Sequence, residues 1–123
     1  MQRFGLSETT IARIQAILAR YPQINRAILY GSRAKGNHRP GSDIDLTVVG
    51  EGLTYADLNR LERELDDLLL PYKIDLSLCH LLDHPGLLAH IDRVGVPFYE
   101  RERASLGPTR MAVVMAELNE ALV

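Results

Sequence analysis

The chain has 123 residues, a formal net charge of −2, 46% hydrophobic residues and 24% charged residues. This length fits one domain that buries a core of its own. The slightly negative balance argues against a general nucleic-acid binder, which carries a basic surplus, so no direct binding to nucleic acid is expected. The single cysteine, Cys79, excludes an intramolecular disulfide and is expected as a small buried residue. The N-terminus lacks the apolar core of a signal peptide, and no apolar run reaches bilayer length, so we expect a cytoplasmic protein without membrane contact.

Hydrophobic periodicity predicts helices alternating with short strands. In chain order, the predicted elements are a helix over Ser7–Arg20, a strand over Ala27–Tyr30, a helical turn over Ser32–Lys35, a strand over Asp43–Val49, a helix from Thr54 to Leu69, a strand over Lys73–Cys79, a helix over Asp83–Asp92 and a strand over Val96–Tyr99. This order predicts an α/β (α+β) fold, with a small mixed β-sheet flanked by helices.

Capping residues set the predicted helix boundaries. Ser7 and Asp83 are expected as N-caps, and Thr54 followed by Asp57 resembles a capping box with Asp in place of the usual Glu. The third helix carries an apolar stripe formed by Leu58, Leu61, Leu65, Leu68 and Leu69.

The last 20 residues form a separate unit in this interpretation. We place the main domain at residues 1–103 and an amphipathic helix at residues 104–123, after a charged joint that contains Gly107 and Pro108. The helical stripe of this tail consists of Met111, Val114, Met115, Leu118 and Leu122. Such a helix either packs on its own domain or binds a partner, and the two methionines suit an adaptable contact surface.

Three aspartates stand at matched positions in two apolar strands. Asp43 and Asp45 share one face of their strand, and Asp75 has the same place in a second Ile-Asp-Leu segment. If the strands are neighbours, three carboxylates converge, an arrangement that a fold tolerates most readily when cations bind there. Carboxylate oxygens suit two Mg²⁺ ions, or Mn²⁺, about 3.5–4 Å apart. The alternative for each aspartate alone is a solvated surface charge.

A Gly-Ser pair directly follows the first strand. Gly31 permits the close approach of a phosphate, and the Ser32 hydroxyl can donate a hydrogen bond to it, although an ordinary turn is the preferred interpretation of this pair by itself. Arg33 is the better candidate among the nearby basic residues for a phosphate contact. The other basic residues of this loop are Lys35, His38 and Arg39, and for His38 and Arg39 a solvated position is preferred.

Together these segments resemble the nucleotidyltransferase superfamily related to DNA polymerase β. Gly31-Ser32 is followed by ten residues and then Asp43-Ile44-Asp45, with a third acid at Asp75, as in that family's pattern. The resemblance covers Ala27 to Tyr99, and the short chain looks like the minimal nucleotidyltransferases, known as MNT proteins.

The resemblance implies the substrates and the partner. Many MNT proteins act as antitoxins of HEPN-domain toxins, and some transfer AMP from ATP to a tyrosine hydroxyl of the toxin. By this similarity Asp43, Asp45 and Asp75 would be catalytic and would hold two Mg²⁺ ions, while Gly31, Ser32 and Arg33 would bind the nucleoside triphosphate. A hetero-oligomer with the toxin is one assembly that the resemblance allows.

Two other functions remain open at this point. An antitoxin can neutralise its partner by binding alone, without catalysis. Transfer to a small molecule such as an antibiotic is the third hypothesis, although enzymes of that kind usually need extra walls to enclose the substrate, and this short chain offers few.

Overall fold

A computed structural model describes residues 2–101, and the predicted helix over residues 104–123 lies outside them. Its elements are β1 (Gln2–Arg3), β2 (Leu6–Ser7), α1 (Glu8–Ala19), β3 (Arg26–Tyr30), α2 (Gly31–Lys35), β4 (Ile44–Val49), α3 (Tyr55–Asp66), β5 (Ile74–Leu78), a 3-10 turn (Cys79–Leu81), α4 (Pro85–Val94) and β6 (Val96–Glu100). The predicted α/β class is confirmed. No helix within this part of the chain is both long and apolar enough to cross a membrane.

The main sheet has four strands in the order β5-β4-β3-β6. Strand β3 pairs antiparallel with both β4 and β6, whereas β4 and β5 are parallel, so the sheet is mixed. Helix α3 connects the two parallel strands, because a parallel pair requires a crossover connection.

The hydrophobic core lies on the face of the sheet that α1 and α3 cover. Alternation along β4 buries Ile44, Leu46 and Val48 in this core and turns Asp45 to the other face. The short helix α2 and the helix α4 contact β3 on the opposite, polar face of the sheet. These two helices cover that face only in part.

The predicted caps of α1 and α3 are confirmed. Ser7 Oγ accepts a hydrogen bond from the Thr10 amide at 3.1 Å, and Thr54 and Asp57 form a reciprocal capping box. These side chains satisfy amide groups that the first turn of a helix leaves without a backbone partner.

Helix α4 begins one residue later than predicted. Its N-cap is His84, whose Nδ1 accepts a hydrogen bond from the Leu87 amide at 3.0 Å, and the expected cap Asp83 lies outside the helix. Pro85 occupies the first helical position, where its fixed φ and missing N–H are tolerated, and this sets the boundary.

The apolar stripe predicted for the third helix continues beyond the C-terminal end of that helix. Helix α3 ends at Asp66, and Leu69 adopts a positive φ of 54° with 87% of its surface exposed. Cys79 is also only partly buried, since it begins the 3-10 turn at the end of β5 instead of lying in the core.

The sequence patterns did not predict the N-terminal hairpin of β1 and β2. Phe4 and Gly5 both have positive φ, at 60° and 73°, as a tight two-residue hairpin turn requires. The Phe-Gly pair is not among the common sequences for this turn. The Phe4 ring packs against the Phe98 ring, with 6.2 Å between the ring centroids.

Candidate active site

The two Ile-Asp-Leu segments lie side by side at one end of the sheet. Strands β4 and β5 pair in parallel with Ile44 opposite Ile74 and Asp45 opposite Asp75. Neighbouring strands are about 4.8 Å apart, so the two aspartates emerge next to each other on the same face. The predicted juxtaposition of these two carboxylates is confirmed by this register.

Asp45 is the most enclosed of the three predicted acids. Burial raises the pKa of its carboxyl above the ordinary value, and the Asp75 and Asp43 carboxylates raise it further. His90 and Arg33 act in the opposite direction and lower it. Asp45 is therefore held in a field of like charge that a bound cation would relieve.

Asp43 and Asp75 are exposed, which leaves their carboxylates open to solvent and ligands. Within residues 2–101, no three His, Cys, Asp or Glu side chains are gathered closely enough to form a ready-made metal site. The donor set still fits a hard cation, since Mg²⁺ uses one or two carboxylates and completes its shell with waters and substrate phosphates. The repulsion of Asp45 by the Asp75 and Asp43 carboxylates also favours a bound cation at this place.

The Gly-Ser pair begins α2, directly beside Asp45. Gly31 has a φ of 74°, and a Cβ atom at this position would collide with Oδ2 of Asp45. Only glycine combines this backbone conformation with the required space. Ser32 follows in the first turn of α2 and is partly buried. The Gly-Ser turn and the Asp45 carboxylate are thus in direct contact.

Tyr30 ends β3 and is paired with Asp45 across the strands. The side chain is 8% exposed. Burial raises the pKa of its phenol; the Ser77 hydroxyl partly offsets this, and the Asp75 and Asp45 carboxylates add to it. The Tyr30 phenol therefore stays protonated and uncharged beside the Asp45 and Asp75 carboxylates.

Arg33 is turned into the protein. It is 2% exposed, and its guanidinium donates to the Ser42 carbonyl at 2.8 and 3.1 Å and to the Phe4 carbonyl at 2.8 Å. The guanidinium also lies 4.9 Å from the centroid of the Tyr72 ring. The hydrogen bonds to the Ser42 carbonyl fix the residue directly before Asp43. The predicted phosphate contact of Arg33 stays a prediction.

The remaining basic residues of the loop occupy different surroundings. Lys35 and Arg39 are exposed, whereas the His38 ring is partly buried against Gly5 beside the Arg33 guanidinium.

Comparison with known protein families gives a match to the model described as polymerase beta, nucleotidyltransferase, over residues 12–104. The chain belongs to this nucleotidyltransferase family. Comparison with curated proteins yields no significant sequence match.

Solved structures agree with this nucleotidyltransferase assignment. A candidate minimal nucleotidyltransferase is 33% identical to this chain, with 78% of this chain and 96% of that chain covered and a TM-score of 0.57. The fold also matches a toxin–antitoxin complex with AMP-PNP at 18% identity, 92% and 98% coverage and a TM-score of 0.62. A third match is a tri-AMPylated Shewanella oneidensis HEPN toxin in complex with its MNT antitoxin, at 17% identity, 93% and 90% coverage and a TM-score of 0.59.

The structure of this nucleotidyltransferase adds to the site one residue that the sequence patterns did not predict. His90 of α4 accepts a hydrogen bond at Nε2 from the Gly31 amide at 3.3 Å. It lies 59 positions from the glycine in the chain, outside the Gly-Ser and Asp-x-Asp motifs. The sequence carried no signal for it beyond a histidine on a predicted helix.

Proposed function

We propose that this nucleotidyltransferase transfers AMP from ATP to a tyrosine hydroxyl of a HEPN-domain toxin and thereby acts as its antitoxin. The observation that carries the proposal is the register that sets Asp45 beside Asp75, next to the Gly31 turn. The similar folds of an antitoxin complex with AMP-PNP and of an MNT complex with a tri-AMPylated HEPN toxin support the choice of nucleotide and partner.

Asp43, Asp45 and Asp75 are the residues that would hold Mg²⁺, with Mn²⁺ as a substitute. Two such ions, when bound, neutralise the triphosphate and stabilise the charge that develops in phosphoryl transfer. The protein contributes a fixed strand register, so Asp45 and Asp75 need little rearrangement to act together.

Gly31 and Ser32 would bind the phosphates. The absence of a side chain at Gly31 lets a phosphate approach the backbone beside Asp45, and the Ser32 hydroxyl can donate a hydrogen bond to a phosphate oxygen. Arg33 is proposed to support the same site, by a phosphate contact or by its hold on the Ser42 carbonyl.

In the transfer itself, the tyrosine oxygen forms a bond to the α phosphorus of ATP. The bond between the α phosphorus and the oxygen that bridges to the β phosphorus breaks, and pyrophosphate leaves. Asp75, which is exposed on the edge strand of the sheet, would accept the hydroxyl proton. Positioning of the two reactants and neutralisation of charge supply most of the rate in such reactions.

The experiment is incubation of the chain with its toxin partner, ATP and Mg²⁺, followed by intact-mass spectrometry of the partner. We expect the partner to gain the mass of one or more AMP groups, and the Asp43→Asn/Asp45→Asn double variant to abolish this gain. The matched control is Glu51→Gln/Glu100→Gln, which removes two exposed charges at the opposite end of the sheet and leaves the transfer unchanged.

The same double variant separates catalysis from neutralisation by binding. Because its substitutions keep the side-chain shape, we expect it to bind the toxin and to lose most of the protection of growing cells. Full protection by the double variant, without any mass gain on the toxin, would replace this proposal with an antitoxin that acts by binding alone.

A further inference from the structure

The side chain of His90, on helix α4, contacts the start of the Gly-Ser turn. Its Nε2 accepts the hydrogen bond from the Gly31 amide at 3.3 Å. The ring also packs edge-on against Tyr30, with 6.2 Å between the centroids and an angle of 82° between the planes. Two contacts with consecutive residues therefore fix the imidazole against the end of β3.

The Tyr30–Gly31 peptide needs such an anchor. Gly31 adopts a positive φ, and glycine restricts its own backbone less than any other residue. Tyr30 occupies the N-cap position of α2 and makes no capping hydrogen bond with its side chain. An acceptor from another element therefore supplies the restraint that the local sequence lacks.

The position of this peptide decides the geometry of the site. On one side, Gly31 lies directly against the Asp45 carboxylate; on the other, Ser32 continues into α2. A rotation of this peptide plane would change φ at Gly31 and, with it, the direction in which the chain continues to Ser32. The hydrogen bond to His90 opposes that rotation.

We propose that His90 is a positioning residue of the nucleotide site, which holds the Gly31 peptide so that the Gly-Ser turn is arranged for the triphosphate before it binds. The proposal rests on the proposed function, because it assumes that the triphosphate binds at Gly31 and Ser32. It assigns to α4 a role in nucleotide affinity, in addition to its packing on the sheet.

Two substitutions at one position test this role. His90→Ala removes the acceptor and the ring, whereas His90→Gln keeps an acceptor oxygen close to the place of Nε2. Arg93→Ala is the matched control, since Arg93 is an exposed residue of the same helix. A role that concerns only the packing of the ring predicts that His90→Gln is as defective as His90→Ala.

The first measurement is the amide proton of Gly31, observed by NMR in the nucleotide-free protein. We expect its resonance to move upfield and its exchange with solvent to become faster in His90→Ala, and both to return towards wild type in His90→Gln. An unchanged Gly31 resonance in His90→Ala would overturn the proposal, because the hydrogen bond would then be absent in solution.

The second measurement is the dissociation constant of Mg²⁺ with AMP-PNP, by titration calorimetry, on variants with wild-type melting temperatures. We expect about a tenfold weaker affinity in His90→Ala, the worth of one hydrogen bond, and less than about threefold weaker affinity in His90→Gln and Arg93→Ala. Equal affinity of His90→Ala and wild type would overturn the role of His90 while leaving the proposed function intact. A wild-type chain that does not bind the nucleotide would contradict the proposed function itself, and the positioning role with it.

Discussion

The α-carbon of Gly31 lies against the carboxylate of Asp45, and no side-chain atom fits between them. A Cβ atom at Gly31 would collide with Oδ2 of Asp45, and the backbone there has a φ of 74°. The Gly-Ser turn and the Asp45 carboxylate are therefore packed against each other and cannot be changed independently.

Gly31→Ala tests this contact. The substitution forces a side chain into a left-handed backbone and against Asp45, so we expect the free energy of unfolding to fall by about 3 kcal/mol. Nucleotide transfer is expected to disappear, since Asp45 must move. Urea unfolding and the mass assay measure the two effects.

Gly36→Ala is the control for the backbone contribution. Gly36 ends α2 with a φ of 82°, and no atom lies within 4 Å of a Cβ built there. We expect a loss of about 1 kcal/mol and unchanged transfer. Equal losses in the two variants would show that the contact with Asp45 contributes nothing.

Arg33→Lys separates a structural role from a phosphate contact. Lysine retains the charge but cannot donate twice to the Ser42 carbonyl while also reaching Phe4, so we expect a loss of about 2 kcal/mol in urea unfolding. Arg39→Lys, on the exposed part of the same loop, is expected to change stability by less than about 0.5 kcal/mol. Wild-type stability of Arg33→Lys combined with weak nucleotide binding would instead favour the phosphate contact.

Asp45→Asn should stabilise the protein at neutral pH. Burial and the neighbouring carboxylates raise the pKa of Asp45, so its contribution to stability is present below the ordinary value and is lost as the pH rises through the raised folded-state pKa. Asparagine does not ionise, and we expect a gain of about 0.5–1 kcal/mol at pH 7 without divalent cations. The gain should shrink towards pH 3. A loss of stability at pH 7 would contradict this electrostatic account.

Tyr21→Phe probes the contact between α3 and the segment that follows α1. The Tyr21 hydroxyl donates to Glu64 Oε1 at 2.6 Å; burial, followed by this bond, raises the pKa of Tyr21 to about 12. The same bond is the main cause that lowers the pKa of Glu64. We expect Tyr21→Phe to lose about 1 kcal/mol at pH 7.

The pH dependence of that loss follows from the sign of the Glu64 shift. A lowered folded-state pKa stabilises the protein above the ordinary value of 4.5, and this stabilisation disappears as the pH falls through the lowered value. The difference between Tyr21→Phe and wild type should therefore narrow at acidic pH. Tyr55→Phe, at an exposed position, is the control and should not change stability.

Local sequence patterns predicted most of the fold. The alternation in Ile44–Val49 placed the core face and the acidic face of β4 correctly, because a strand has only two faces. The capping box at Thr54 was also predicted, since its hydrogen bonds join residues three positions apart.

Two predictions at helix ends were wrong. Asp83 is a common capping residue, but Pro85 at the first helical position made His84 the cap. Leu69 continued an apolar stripe by spacing alone, whereas α3 ends at Asp66 and leaves Leu69 exposed.

The sequence by itself determined which chemical groups are present and which face of a strand each one occupies, because spacing along an extended chain determines both. Only the tertiary structure decided which strands are neighbours, and so set Asp45 beside Asp75. It also turned Arg33 inward to backbone carbonyls and brought His90 to the Gly31 amide. These contacts join residues from separate elements, and no periodicity within one element encodes them.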